Sequence, residues 1–384
     1  MTNPLRRGLL AATCLAAFGT GAQAQHAIRV AGLYELSGAG ASAGTMFKNG
    51  VALAVKEINE AGGILGKKIE HTASDTQTNP GVAKGLASKA IDDGAFAVFG
   101  PVFSGSIMVS MAETRKAEVP NFTGGEAAAI TKQGNPFIFR TSFTQDTAMP
   151  KVARYIAGTL KAKTVAVIFV NNDFGKGGRD AITKALEAAG AKVVADISTD
   201  SGQLDFSAPV FKAKQANADA LFVYTNEEES ARALRELKKQ GYNKPVVGET
   251  TLTGQKVIEL AGDAANGALA HVGLTVDAPN PLMLKFKAKF YQETKTISDH
   301  NGIKGYTGVY ALKAAIEKAG KIDKKAVAAA LKGLQVSAAR QPGVLMDLSF
   351  DDKGDLDRES FIVEVKDGKQ VVKEVLPALS AKKS

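Results

Sequence analysis

Apolar and polar residues follow two different periods along the chain, and the two periods alternate. Residues 28–36 and 95–100 are short, almost wholly apolar runs, as strands are in a parallel sheet covered on both faces. Residues 46–61 instead repeat their apolar side chains every three or four positions, at Phe47, Val51, Ala54, Val55 and Ile58. That spacing predicts an amphipathic helix between two strands.

The strand–helix order recurs further along the chain, which predicts a second unit of the same kind. Residues 164–198 follow the order strand, loop, helix and strand, with Gly190 ending the helix. Residues 219–250 repeat the order, with Gly241 in the same role. The chain's 384 residues also exceed the size at which one hydrophobic core keeps growing. We therefore predict an α/β protein with two doubly wound, mostly parallel-sheet lobes.

Several polar or glycine-rich segments follow directly after predicted strands. They are residues 38–44, Ser104, Phe174 and residues 225–229. Ligands of doubly wound sheets bind beyond the carboxyl ends of the strands. The two lobes are therefore expected to face each other across a ligand-binding cleft.

Residues 99–107, FGPVFSGSI, lead from an apolar strand through Gly100 and Pro101 into a helix, with Ser104 and Ser106 at the transition. A serine at this place can cap the helix by accepting a hydrogen bond from a backbone N–H. The unpaired amides of a helix N-terminus also attract anions. The residues alone favour the cap.

The first 24 residues predict that the protein is exported. Arg6 and Arg7 precede the apolar stretch Leu9–Phe18, and residues 22–24 supply a small-x-small cleavage site, which is the pattern of a secretory signal peptide. The apolar stretch is too short to span a bilayer.

Cys14 is the chain's only cysteine and lies inside that apolar stretch. It follows Thr13 rather than a small residue, which argues against a lipid anchor. Cleavage after Ala24 leaves no cysteine, which excludes disulfides, thiolate nucleophiles and cysteine metal sites. The two arginines lost with the signal lower the formal net charge from +9 to +7. The lysines are scattered, which is typical of a charged surface rather than of a nucleic-acid-binding one.

Enzyme and metal-site patterns are incomplete in this chain. Gly38, Gly40 and Gly44 resemble a dinucleotide fingerprint, but the acid expected next, Asp75, lies farther along than the usual ~20 residues. There is no GxSxG elbow, and the four histidines are scattered. Residues 351–357, DDKGDLD, lack the glycine and glutamate of a calcium loop and fit a turn between two strands. We expect no catalytic residue, metal or cofactor.

Five segments together resemble a periplasmic solute-binding protein of an ABC transporter, of the leucine/isoleucine/valine-binding type. In chain order they are SGAGASAGTMFKNGVALAVKEINEAGGILGKKI, FGPVFSGS, NNDFGKGGRDA, LAGDAANGALA and FDDKGDLD. The resemblance covers essentially the whole mature chain. It implies a type I periplasmic-binding fold, with two lobes joined by three crossovers that close on a ligand.

The lobes are expected to be discontinuous in sequence, because apolar crossovers occur near AHVGLTV and GVLMDL. Lobe one is predicted to comprise residues 27–143 plus 274–345. Lobe two is predicted to comprise residues 144–273 plus 346–375, and residues 376–384 form a tail.

The resemblance also implies ligand contacts in lobe one. Ser104 matches the serine that contacts the ligand's α-carboxylate, which favours ligand contact over the cap, and the two roles can coexist. The next contact segment corresponds to Gly124, Gly125 and Glu126. Glu126 replaces a threonine of the family pattern. A carboxylate there repels a ligand carboxylate and attracts an ammonium or another cation, unless the side chain points to solvent.

In lobe two the resemblance places contacts after three strands. Phe174 falls where a tyrosine often packs on the ligand, with a lobe-core aromatic residue as the alternative. Asn226 and Glu227 match a second contact segment. The acid that pairs with the ligand's ammonium corresponds to Glu249 or, without a gap, to Thr250.

Ala43 stands where an aromatic residue commonly covers the ligand's aliphatic side chain, which argues against strict leucine selectivity. The predicted ligand is an amino acid or a similar small molecule, with aromatic acids, amides and small peptides open. The implied partners are the permease and ATPase subunits of an importer, and the implied location is the periplasm. We expect a monomer that binds no nucleic acid. A sensory module for a receptor would share the fold and is the alternative.

Overall fold

Two α/β lobes make up residues 27–378, the part of the chain that the computed structural model describes. The strands are β1 (Ile28–Tyr34), β2 (Ile69–Asp75), β3 (Ala97–Phe99), β4 (Asn121–Thr123), β5 (Ile138–Arg140), β6 (Thr164–Val170), β7 (Lys192–Thr199), β8 (Ala220–Tyr224), β9 (Val246–Gly248), β10 (Leu269–Val272), β11 (Gln335–Val336), β12 (Leu348–Phe350), β13 (Leu356–Asp357), β14 (Ser360–Lys366) and β15 (Lys369–Leu376). The helices are α1 (Ala41–Glu60), α2 (Pro80–Asp92), α3 (Ser104–Lys116), α4 (Ala129–Lys132), α5 (Gln145–Arg154), α6 (Asp173–Ala188), α7 (Ser207–Gln215), α8 (Glu227–Lys239), α9 (Gln255–Ala261), α10 (Pro281–Thr294), α11 (His300–Ala319) and α12 (Lys324–Leu331). The predicted signal peptide and residues 379–384 of the predicted tail lie outside the described residues.

The first lobe is built on a five-stranded parallel sheet with the order β2-β1-β3-β4-β5. Local sequence signals mark helix starts in this lobe, although α1 begins at Ala41, five residues before the predicted segment 46–61. At the start of α2, for example, the Asn79 side chain accepts hydrogen bonds from the amides of Gly81 and Val82, and Pro80 occupies the first turn. Buried aromatic rings fill the sheet's inner face, where Phe99 stacks on Phe122.

The second lobe is built on a seven-stranded sheet with the order β15-β14-β10-β9-β8-β6-β7. Strands β6 to β10 are mutually parallel, whereas β14 and β15 pair in the antiparallel sense. The prediction of two doubly wound, mostly parallel-sheet lobes is therefore confirmed.

The chain returns to the second lobe later than expected, which corrects one predicted boundary. Residues 346–375 were all predicted to lie in lobe two. Instead, the Phe350 ring lies edge-on to Phe139 of the first sheet at 6.0 Å, and the Arg140 amide donates to the Gly354 carbonyl at 2.8 Å. These contacts cover the apolar side of β12, so the chain rejoins the second sheet only with β14. Residues 351–355 form the expected turn, between β12 and β13.

Helices α1 and α11 pack closely because glycines line their contact. A β-carbon on Gly305 would lie 2.2 Å from the Phe47 carbonyl oxygen, and one on Gly50 would lie 1.9 Å from the Gly302 carbonyl oxygen. This approach holds the N-terminal end of α11 against the first sheet.

We expect Gly305→Ala to lower the free energy of unfolding by about 1–3 kcal/mol, because the added methyl group must push the two helix backbones apart. Gly85→Ala is the matched control, since Gly85 is an exposed residue of α2 with open space around it. The control should gain roughly 0.5–1 kcal/mol from helix propensity. Urea denaturation of both variants measures the difference, and equal stability would contradict the close packing.

Candidate ligand-binding cleft

A cavity of about 40 Å³ lies between the two lobes, at the carboxyl ends of strands from both sheets. Seven of the nine candidate residues line it: Ser104, Gly124, Gly125, Glu126, Phe174, Asn226 and Glu227. Seven further residues complete the lining: Ala43, Val102, Phe103, Thr251, His300, Asn301 and Lys304. The seven candidates thus come together from loops that lie far apart in the chain.

The two remaining candidates, Glu249 and Thr250, lie beside the cavity rather than among its lining residues. The Glu249 carboxylate accepts hydrogen bonds from the Thr250 hydroxyl at 2.7 Å and the Thr250 amide at 2.6 Å, and it lies 3.1 Å from Nδ1 of His271. The next residue, Thr251, lines the cavity instead. The tight turn after β9 thus points Glu249 back into the protein, toward Glu126.

Ser104 is the first residue of α3, and Phe103 occupies the capping position. The Ser104 hydroxyl accepts a hydrogen bond from the Ala127 amide at 3.4 Å instead of capping its own helix. The capping interpretation is therefore wrong. The Glu35 carboxylate accepts hydrogen bonds from the backbone amides of Val102 and Phe103, at 3.1 and 3.0 Å. The amides that begin α3 have no acceptor within the helix, which leaves an anion-binding end beside the cavity.

Glu126 is buried and points into a polar network rather than to solvent. Its carboxylate accepts hydrogen bonds from the Lys304 ammonium and the Tyr224 hydroxyl, each at 3.1 Å. The Glu249 carboxyl lies within hydrogen-bonding reach on the other side. Burial first, and then the charge of Glu249, raise the pKa of Glu126 to about 7 against the opposing effect of Lys304. Glu126 thus joins the lobes and can accept a proton or a cation.

Phe174 forms part of the cavity wall in lobe two. Its ring stacks on Tyr224 with 4.1 Å between centroids, and its carbonyl accepts a hydrogen bond from the Gln145 side chain at 2.8 Å. Phe174 therefore packs within its lobe and also lines the cavity, so the lobe-core interpretation and the cavity interpretation do not exclude each other.

A second polar cluster joins the lobes at the N-terminal end of α11. The Glu227 carboxylate accepts a hydrogen bond from the Asn301 amide at 3.2 Å and lies 4.0 Å from Nε2 of His300. Burial first, and then the charges of Glu228 and Asp299, raise the pKa of Glu227 to about 8. Burial lowers the pKa of His300 well below its usual range, so its ring is neutral. Glu227 therefore faces this end of the cavity without a cationic partner beside it.

Asn226 also stabilises the N-terminal turn of α8. Its backbone amide and its side-chain amide both donate to the Glu229 carboxylate, at 3.0 and 2.9 Å. This local pairing fixes the turn that presents Glu227 to the cavity.

Arg140 supports the loop that carries Glu126. Its guanidinium is fully buried and donates to the carbonyls of Gly125 and Ala127, at 2.8 and 3.0 Å, and to the Asp355 carboxylate at 2.7 Å. A planar guanidinium can hold several acceptors at fixed angles, which a lysine cannot do. The loop is therefore anchored from behind by the last residue of β5.

The first turns of α11 were missed by the sequence-based search. Asp299 caps the helix by accepting from the amides of Asn301 and Gly302. Lys304 lies one turn further on and is 3% exposed. A lysine flanked by Ile303 and glycines in an otherwise buried helix was the available signal, because such a side chain needs an internal partner.

A larger groove, of about 670 Å³, runs mainly along α5 and α6, and none of the nine candidate residues lines it. Within residues 27–378, no group of three or more histidine, cysteine or acidic side chains is arranged to hold a metal ion. The interlobe cavity therefore remains the candidate site.

Comparisons with known proteins agree with the fold. The family model described as "Periplasmic binding protein" matches residues 27–370. The leucine-, isoleucine-, valine-, threonine- and alanine-binding protein of Pseudomonas aeruginosa is 30% identical over 362 residues, which are 92% of this chain and 94% of that protein.

Solved structures show the same architecture. A branched-chain amino acid transporter substrate-binding protein of Streptococcus pneumoniae, in complex with isoleucine, matches with a TM-score of 0.83 and 24% identity over 92% of this chain and all of its own. A Rhodopseudomonas palustris solute-binding protein in complex with benzoate matches with a TM-score of 0.84 and 21% identity over 93% and 98% of the two chains. The chain belongs to the periplasmic binding protein family.

Proposed function

We propose that this protein is the extracytoplasmic solute-binding component of an ABC importer and that it clamps an amino acid between its lobes. The observation that carries this proposal is the buried cavity lined by both lobes at the carboxyl ends of their strands. A ligand that contacts both lobes stabilises their closed arrangement, because its binding energy is available only when they meet.

The two ends of an amino acid's head group have matching partners in the cleft. The N-terminal end of α3 and the Ser104 hydroxyl offer hydrogen-bond donors and a positive helix dipole to the carboxylate. The Glu126 carboxylate, with Glu249 behind it, offers acceptors to the ammonium. Glu249 and Thr250 therefore act through Glu126 and Thr251 rather than by direct contact.

An aromatic acid fits the cleft less well than an amino acid does. Benzoate carries a carboxylate but no cationic group. It would add a negative charge beside Glu126 and Glu249, and Lys304 is the one cationic side chain among the described residues that line the cavity. The relatives named as amino-acid-binding proteins support the same choice.

The proposed partners are the permease and ATPase subunits of the importer, and the proposed location is the periplasm, reached through a cleavable signal peptide. We propose that the protein acts as a monomer, is not an enzyme, and binds neither a cofactor nor a nucleic acid. No helix within residues 27–378 combines the length and apolar character of a membrane span. Permease and ATPase genes beside the coding gene would favour uptake over a sensory role.

Calorimetric titration of the mature protein tests the proposal, with alanine, threonine, valine, leucine, ornithine, norvaline and benzoate as ligands. We expect at least one amino acid to bind and Ser104→Ala to weaken it by roughly 1–3 kcal/mol, through loss of a hydrogen bond to a charged carboxylate. Ser110→Ala is the matched control, because Ser110 is a buried serine of the same helix outside the cavity lining. Equal affinity in wild type and Ser104→Ala would contradict the carboxylate assignment, and no binding by any amino acid would contradict the proposed function.

A further inference from the structure

We propose that the side chain of the bound amino acid ends in a cationic amino group, which the Glu227 carboxylate, the Thr251 hydroxyl and the Asn301 amide oxygen receive. This inference rests on the proposed function, since it concerns the same cleft. It distinguishes this protein from a binder of aliphatic amino acids.

The first support is the set of unpartnered polar atoms at this end of the cavity. Thr251 Oγ1, His300 Nδ1 and Asn301 Oδ1 are buried and have no hydrogen-bond partner within the described protein. All three residues line the cavity, and each is less than one-tenth exposed. An aliphatic side chain would leave these atoms unpaired, which carries a desolvation penalty.

The chemistry of these atoms selects a hydrogen-bond donor. The Asn301 amide oxygen and the Glu227 carboxylate only accept hydrogen bonds when the acid is ionised. The Thr251 hydroxyl can accept as well as donate, and a neutral His300 ring accepts through one of its nitrogens. An ammonium group carries three donors and no acceptor, so it complements this set of atoms.

Charge balance gives independent support. The charge of the Lys304 ammonium lowers the pKa values of four buried carboxyl groups. They belong to Glu126, Glu227, Glu249 and Asp299. Asp299 is compensated by the amides that it caps. Among the residues that the structure describes, Lys304 is the one cationic side chain that lines the cavity. The α-ammonium of a ligand can pair with the carboxyls near Glu126, and a second ammonium can pair with Glu227 once that acid has lost its proton.

The position of Glu227 also couples binding to pH. The charged or titratable groups that face it are Glu228 on its own helix and Asp299, His300 and Lys304 on or beside α11. Their combined effect with burial places the pKa of Glu227 at about 8, so the acid is mostly protonated at pH 7 in the absence of a cation. An incoming ammonium favours the carboxylate, so a proton leaves Glu227 for the solvent on binding. Affinity for the cationic ligand should therefore rise as the pH rises toward 8.

Ornithine and norvaline form the matched pair of probes, because they share a five-carbon chain and differ by the terminal amino group. Calorimetric titrations at pH 6.5 and 8.0, in two buffers with different ionisation enthalpies, measure affinity and proton release together. We expect ornithine to bind at least tenfold more tightly than norvaline at pH 8.0. At pH 6.5, ornithine should release more protons than norvaline.

Two variants connect the effect to Glu227. We expect Glu227→Gln to reduce the ratio of ornithine to norvaline affinity at least tenfold and to remove the difference in proton release. Glu236→Gln is the control, since Glu236 lies on the same helix outside the cavity lining, and it should leave the ratio unchanged. Wild-type proton release keeps the inference testable if Glu227→Gln fails to fold.

The outcomes separate the inference from the proposed function. Norvaline or leucine binding as tightly as ornithine, or equal proton release by ornithine and norvaline, would overturn the inference and leave the proposed function standing. An unchanged affinity ratio in folded Glu227→Gln would also overturn the inference. The absence of binding by every amino acid tested would overturn both.

Discussion

Lys304→Met should lower the free energy of unfolding by about 3–5 kcal/mol at pH 8, the range for removing one partner from a buried ion pair. Lys304 is 3% exposed and lies 3.1 Å from the Glu126 carboxylate. It lowers the pKa values of Glu126, Glu227, Glu249 and Asp299 through its charge. Without it, these carboxyls either stay charged in a buried site or take up protons.

The loss should depend on pH in a defined direction. The pKa of Glu126 is raised in the folded protein to about 7 and rises further without Lys304. The folded state then holds protons that the unfolded state releases above its ordinary pKa, so stability falls as the pH rises from about 4.5. Lys304→Met should therefore cost less stability at pH 5 than at pH 8.

Urea denaturation at both pH values measures this effect. Lys318→Met is the matched control, because Lys318 is an exposed lysine of the same helix, and it should change stability by less than about 0.5 kcal/mol. Adding Glu126→Gln to Lys304→Met should recover part of the loss. A loss that is the same at pH 5 and pH 8 would contradict the charge cluster.

Arg140→Leu is expected to cost a similar amount, about 3–5 kcal/mol, because it leaves the Asp355 carboxylate and two loop carbonyls without their partner. The substitution should also weaken ligand binding, since the loop of Gly124 to Ala127 loses its anchor. Arg140 is thus a positioning residue for Glu126 rather than a ligand contact.

The control for Arg140 is Arg115→Leu, a substitution of an exposed arginine at the C-terminal end of α3. It should change neither stability nor affinity by more than about 0.5 kcal/mol. Denaturation and calorimetry on the same samples separate the two effects. Full affinity in a destabilised Arg140→Leu protein would show that the loop keeps its shape without the guanidinium.

The cavity could be predicted because its lining comes largely from the ends of strands. Ser104, Glu126, Phe174 and Glu227 each follow an apolar run, and parallel sheets bring such ends together. Periodicity gives the strands, and the order of elements gives their direction, so these loops meet without knowledge of side-chain detail.

Other parts of the site depend on tertiary packing that periodicity does not reveal. Lys304 and Asn301 reach the cavity because glycines let α11 approach α1 closely. The tight turn after β9 decides that Thr251, and not Glu249, faces the cavity. The chain rejoins the second sheet only near Ser360, because Phe350 packs against Phe139 of the first sheet rather than against the second sheet.

A crystal structure of the mature protein with the tightest-binding amino acid of the calorimetric series tests the central claim most directly. Binding between the lobes predicts the ligand's carboxylate at the N-terminal end of α3, within hydrogen-bonding distance of the Ser104 hydroxyl. It also predicts the ligand's ammonium within hydrogen-bonding distance of the Glu126 carboxylate. A ligand bound in the groove along α5 and α6, or one that contacts a single lobe, would contradict it.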